Sequence, residues 1–394
     1  MTTQVIPKEG WKRELPGAAS RAGWGILLVG ALGCIAAYAV DPVRSAFNNV
    51  VLCLFLASIA GGSIFLVALE HVAGAVWSVP TRRVNEFLSA LTPLIPLVAI
   101  PVFFNLGGVF HWTRPELVAA DPQIAAKSSY LSVPFFVIRF VIVIGAWLFF
   151  GVLMIRNSMR QDVTRDPGLS RVNARLGAIF MPIFAFTVTI LAIDWSMSIE
   201  PHWYSTIFGI YFFTGAVLAA LASATYIIVR LDENGLLPGL RRDHLYSLGA
   251  LMFAFTNFWA YIAFSQFLLI WYANLPEETF WFSMRWVHGW QYLSVLLIIV
   301  QFGVPYFALL SQDAKMDPKR LKVMSIWILV AHLLDTYWLV MPSLNGTVPL
   351  SWMELVFPIL GVGAVIVVLG ACMRRFNLVP VGDPKLERGL GFHL

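Results

Sequence analysis

Ten runs of roughly 20 apolar residues, separated by short polar connections, restrict what this chain can fold into more than any motif within it. Each run is long enough to cross about 30 Å of hydrocarbon as a helix rising about 1.5 Å per residue. They fall at about 21–40, 47–72, 85–106, 131–155, 172–197, 204–230, 244–272, 283–310, 321–341 and 351–373, numbered here as helices 1 to 10. In lipid each backbone N–H and C=O must be satisfied within the protein, which leaves helices or a closed barrel, and runs of this length are helical. Only 12% of the 394 residues are charged, against about 25% in ordinary soluble domains. The expectation is an all-α integral membrane protein of about ten transmembrane helices.

The opening segment MTTQVIPKEGWKRELPG is polar and lacks the basic, apolar and small-residue sequence of a secretory signal, so it is expected to stay in the mature chain. With ten crossings the termini share a side. Of the 27 Lys and Arg residues, all but Arg44, Arg114, Lys127, Arg139 and Arg285 fall on that side. Basic loops stay in the cytoplasm, so both termini are expected there. The net charge of +5 is therefore a topological signal, and no aromatic-interleaved basic patch suggests nucleic acid. The longest external connection, about 107–130, holds no inserted soluble domain, so any soluble function must come from partners.

Charged side chains at bilayer depth cost at least about 2.5–3.5 kcal/mol and mark paired structural devices or functional sites. Arg139 lies about eight residues inside helix 4, and Asp194 lies near the external end of helix 5, where the two can pair. Arg285 and Asp335 repeat that arrangement on helices 8 and 9, with spacings of 55 and 50 residues respectively. This suggests a parallel repeat of two four-helix bundles, helices 2–5 and helices 6–9. The resulting organisation is a cytoplasmic segment 1–20, peripheral helix 1 (21–46), a first bundle (47–203), a second bundle (204–341), then peripheral helix 10 with a cytoplasmic tail (342–394).

His288 follows Arg285 by three residues, and Asp335 follows His332 by three, which puts each pair on one helical face. Arg285, His288, His332 and Asp335 are therefore expected to meet in the outer half of the bilayer, as a proton relay, a quinol site or a structural neutralising pair. Glu70 and His71, at the cytoplasmic end of helix 2, read either as snorkelling residues or as a proton entry. Glu354, near the external start of helix 10, is open to the same two readings. His288 and His332 carry charged neighbours that suit a hydrogen-bond network better than haem ligation. Cys34, Cys53 and Cys372 read as packing residues. Ala57/Gly61 and Ser58/Gly62 form small-residue spacings for close packing of helix 2. Pro93, Pro96 and Pro101 should kink helix 3. Trp195, Trp203, Trp271, Trp281, Trp286 and Trp338 read as an interfacial aromatic belt.

Three segments go beyond hydropathy: DWSMSIEPHWYSTIFG from Asp194 to Gly209, HLLDTYWLVMP from His332 to Pro342, and the tail VGDPKLERGLGFHL. With them the chain resembles, over nearly its whole length, the ActF subunits of alternative complex III within the NrfD/PsrC-like superfamily. The resemblance implies two four-helix bundles and a place in the bacterial inner membrane, in a complex that passes electrons from quinol to cytochrome c or another periplasmic acceptor. Its implied partners are a longer NrfD-like membrane paralogue, a periplasmic iron–sulfur subunit, c-type cytochrome subunits and lipids. Haems and iron–sulfur clusters would then sit in those partners and none in this chain, and quinone would bind chiefly to the paralogue. This chain would be a scaffold and candidate proton path; with the depths read above, Asp335, His332, His288, Asp194, Glu200, His202, Arg285, Arg139, Glu70 and His71 are the proton-path candidates, Arg139 and Arg285 being suited also to simple charge pairing. A secondary transporter and a purely structural anchor are the alternatives.

Overall fold

The computed structural model describes residues 11–237, 239–345, 348 and 351–394; the first ten residues, including Lys8 of the charge count, lie outside the described residues. All regular structure among the described residues is helical. Ten spans are long and apolar enough to cross a membrane: Gly17–Val40, Pro42–Ala73, Val79–Phe103, Val133–Thr164, Gly168–Ile199, Phe208–Glu233, Arg242–Ala273, Trp290–Ala308, Pro318–Leu344 and Met353–Arg375. They are called spans 1 to 10. The chain is an all-α polytopic membrane protein.

Local chemistry sets the span ends. Span 2 begins at Pro42, with the Asp41 carboxylate accepting from the Arg44 amide at 3.0 Å, and it stops at Gly74, whose φ of 64° closes the last turn. Span 3 is broken as the prolines require: helix Arg82–Ser89 gives way to a turn, and Leu94–Phe103 resumes after Pro93. Span 8 starts later than expected. Residues 283–289 belong instead to the end of a short helix, Pro276–Ser283, a 3-10 turn, Met284–Trp286, and a bend with His288 at φ 54° and Gly289 at φ 96°. Beyond Leu297 the same span passes through a π-helical turn, Ile298–Gly303.

Spans 2 and 6 form the centre. In each, 89% of the most apolar window is buried inside the protein, against 17% for span 1 and 28% for span 10. Span 2 packs on spans 3, 5, 6 and 9, and span 6 packs also on spans 5, 7 and 9. The small residues of span 2 do what their spacing suggests: a Cβ on Gly61 would lie 2.5 Å from the Trp147 ring, and one on Gly62 would lie 2.6 Å from the Ala216 carbonyl. Spans 1 and 10 pack mainly on each other. Their backbones touch where a Cβ on Gly30 would meet Leu360 at 2.5 Å and one on Gly363 would meet the Leu27 amide at 2.4 Å.

The first and last described segments gather at one end of the helices, as an even number of crossings demands. The Trp11 amide donates to Asn377 (3.0 Å), and its indole donates to the Leu236 carbonyl (2.8 Å). In the C-terminal tail, Lys385 donates to the Gly74 carbonyl (2.9 Å), and the Gly389 carbonyl lies 2.8 Å from His244 Nε2.

Candidate functional site

Most of the buried acids are matched by arginine. Arg139 grips Asp194 with two hydrogen bonds, at 2.7 and 2.9 Å, and Tyr130 donates to the same carboxylate at 3.0 Å. That pair is the one read from the sequence. Glu354 is held likewise, by a two-point contact from Arg44 (2.8 and 2.8 Å) and by Asn48 at 3.0 Å. A bidentate guanidinium supplies the opposite charge a carboxylate needs and ties the two helices in register.

At the termini end the structure corrects a second reading. Glu70 does not snorkel: it is buried, because span 3 and the C-terminal tail fold over the end of span 2. Arg82 contacts Glu70 (3.1 Å), Glu86 (3.3 Å) and Asp383 (2.6 Å), while Arg83 contacts Glu86 and Asp162 (both 2.7 Å). His71 is half-buried beside Asn173, at 3.4 Å. Burial pushes the Asp383 carboxyl up, but the Arg82 charge and the hydrogen bonds from the Lys385 amide and Arg82 outweigh it, so Asp383 lies below the ordinary carboxylate range. A depressed carboxyl contributes stability that is present above its unfolded value and lost as pH falls through its folded value. The Arg82–Asp383 tie is therefore expected to hold the tail at neutral and mildly acidic pH and to weaken only in stronger acid. Proteolysis of the segment after Arg375 across a pH series checks this; release near pH 6 would contradict it.

Asp335 breaks the pattern. It is 2% exposed and, among the described residues, makes no ion pair. Instead the Tyr211 hydroxyl donates to one oxygen, and the Trp259 indole donates to the other at 3.2 Å. Asp335 and His332 come from span 9, Tyr211 from span 6 and Trp259 from span 7. Gly215, one turn beyond Tyr211, makes the room: a Cβ there would lie 2.9 Å from the His332 ring and 3.9 Å from Asp335. His332 is 2% exposed, stands against the Phe55 ring at 5.8 Å, and neither ring nitrogen has a protein hydrogen-bond partner.

The expected partner of Asp335 is elsewhere. Arg285, fully buried, donates to the carbonyls of Trp281 (2.8 Å), Trp338 (3.1 Å) and Leu339 (3.0 Å), and its guanidinium lies 3.3 Å from the centre of the Trp281 ring. Carbonyls and an aromatic face satisfy this cation in place of a carboxylate. His288 likewise leaves the expected group of four. The left-handed bend at residues 288–289 delays the helix, so the three-residue spacing that would align His288 with Arg285 is not helical there, and His288 is exposed.

Glu200 and His202 sit in the connection after span 5 and do not join Asp335. His202 Nε2 lies 2.6 Å from Asp121, and that hydrogen bond holds the Asp121 carboxyl below its ordinary range. Burial pushes the Arg285 guanidinium down from its ordinary range, and the charge of half-buried Glu200 opposes that shift. The aromatic belt also needs correction. Trp271 and Trp286 are exposed, but Trp195, Trp203, Trp281 and Trp338 are buried, with Trp203 stacked on Trp281 at 4.3 Å.

Further polar groups in spans 6 to 8 have hydrogen-bonding capacity left over after their protein contacts: the Thr225 and Thr256 hydroxyls and both amide atoms of Gln301, which stands in the π-helical turn. Such turns insert one extra residue and occur often at functional positions. Sequence reasoning missed Tyr211, Trp259 and Gln301. A tryptophan 18 residues into a span, away from either interface, was the available signal for Trp259. No family model matches the chain, and no curated protein matches it.

Proposed function

We propose that this chain is a membrane subunit of a quinol-oxidising respiratory complex in the bacterial cytoplasmic membrane, similar to the ActF subunits, and that it carries protons through Asp335. The single observation behind the proton role is the contrast between Asp335 and the other buried acids. Asp194, Glu354, Glu70 and Glu86 each face an arginine, whereas Asp335 meets only neutral donors, Tyr211 and Trp259. A guanidinium favours the charged form of the carboxylate it holds, whereas a carboxyl held only by neutral donors has no such counter-charge and can exchange a proton, as a carrier must.

His332 lies one helical turn from Asp335 towards the termini end, with both ring nitrogens free to accept or donate a proton. The hydroxyls and amide left over in Thr256, Gln301 and Thr225 are what a hydrated path between the spans requires. Arg139 with Asp194, and Arg44 with Glu354, are then structural ties and not carriers. In this reading both termini face the cytoplasm, the Asp335 end faces the periplasm, and electron carriers belong to partner subunits: a longer membrane paralogue, an iron–sulfur protein and c-type cytochromes.

Purification tests the assignment. The tagged full chain, extracted in mild detergent from its native membrane, is expected to bring with it c-type haem absorbance and iron–sulfur proteins. A chain that purifies alone, without haem, and moves solute into liposomes would instead be a secondary transporter.

A further inference from the structure

A cavity of about 550 Å³ lies beside the Asp335 cluster, enclosed by spans 7, 8 and 9 and the short helix Pro276–Ser283. That volume falls within the usual range for small-molecule sites, about 300–1,000 Å³. Its walls are largely rings, among them Trp259, Phe267, Trp281, Trp286 and Trp338. No charged residue and no histidine lines it among the described residues. A phosphate head group would therefore find no counter-charge, which excludes an ordinary phospholipid head as the fitting occupant.

Two observations indicate what does fit. Tyr261, Phe264 and Ile298 border the cavity and are 66%, 60% and 59% exposed on the apolar outer surface of spans 7 and 8, so the mouth opens sideways into lipid. Inside, Gln266 is 4% exposed, and its side-chain oxygen has no hydrogen-bond partner. A buried acceptor in an apolar wall calls for a neutral donor such as a hydroxyl.

We propose that this cavity binds the head of a neutral, ring-headed, hydroxyl-bearing membrane amphiphile, with its hydroxyl on Gln266, its ring against the tryptophan walls and its tail leaving through the lateral mouth. Quinols and polycyclic isoprenoid alcohols share that chemistry. The cavity shares Tyr211 and Trp259 with the Asp335 cluster, but its occupancy is read without turnover. Failure of binding would leave the Asp335 reading intact, and loss of the Asp335 reading would leave the site intact.

The test uses the full chain in lipid nanodiscs and three tail-brominated probes that quench tryptophan by proximity: a decyl naphthoquinol kept anaerobic, a polycyclic isoprenoid alcohol and a phosphatidylglycerol. One of the two hydroxyl probes is expected to quench saturably, and which one does so identifies the source. Gln266→Leu should weaken that probe about tenfold, the scale of one buried acceptor left unmatched. Ala263→Trp, at a half-buried position on the cavity wall, should abolish saturable quenching while circular dichroism remains unchanged. Equal quenching by phosphatidylglycerol, no saturation by either hydroxyl probe, or unchanged affinity in Gln266→Leu would overturn the proposal.

Discussion

On the proposed function, replacing Asp335 with Asn is expected to leave the complex assembled and to remove its proton-coupled turnover. The amide oxygen still accepts from Tyr211 and the side-chain volume is unchanged, so spans 6 and 9 stay tied, while the amide NH2 gives up the hydrogen bond from the Trp259 indole; what also disappears is a group that can hold and release a proton. Positioned proton transfer contributes about 10²–10⁴-fold to a rate, so quinol oxidation coupled to proton movement should fall at least about 100-fold. Tyr211→Phe keeps the carboxyl and removes one donor, and should cost less. The measurement is turnover and proton stoichiometry in proteoliposomes, normalised to haem content. Wild-type values for the Asn variant at full haem content would remove Asp335 from the mechanism.

The second large effect is on stability. Asp194→Asn leaves Arg139 buried beside the Tyr130 and Phe135 rings, with no opposing charge at bilayer depth. Removing one member of a buried pair costs about 3–5 kcal/mol, whereas replacing both by apolar groups is often nearly neutral. Asp194→Asn alone should therefore sharply lower resistance to unfolding in detergent, and combining Arg139→Met with Asp194→Leu should recover most of the loss. A double-mutant cycle measures the coupling directly. Additive losses, or an Asp194→Asn variant as stable as the parent, would show that the pair neither sets register nor neutralises charge.

The crossings were legible because a bilayer demands about 20 apolar residues for each one, and all ten appear. Their lengths were less legible. The fourth apolar run ends near residue 155, but its helix continues to Thr164, because hydropathy reports the thickness of hydrocarbon while the helix runs on through polar residues that cap the bundle. Arg139 with Asp194 could be read from the sequence because opposite charges at one depth in adjacent helices have few other solutions. Arg285 misled for a related reason: a cation satisfied by carbonyls and an indole face looks, in sequence, the same as one beside an acid. Tyr211, three residues into its span, was hidden by a rule that assigns aromatic residues near span ends to the interface, whereas Trp259, in mid-span, carried a signal that went unused. The Arg82, Arg83 and Glu86 network carried a signal in its three- and four-residue spacing, but its closure by Asp162 and Asp383 depends on contacts across 79 and 301 residues.

The glycine seam between spans 1 and 10 has a consequence for biogenesis. Span 1 is threaded into the bilayer early, yet the surface its glycines were shaped to meet is made only after more than 300 further residues. At about 5–20 residues per second, the ribosome leaves it waiting for some tens of seconds. Until then the early helix lacks its glycine-matched partner, so the seam is expected to close as a late, post-insertion step, like the clasp on a belt already fastened round its contents.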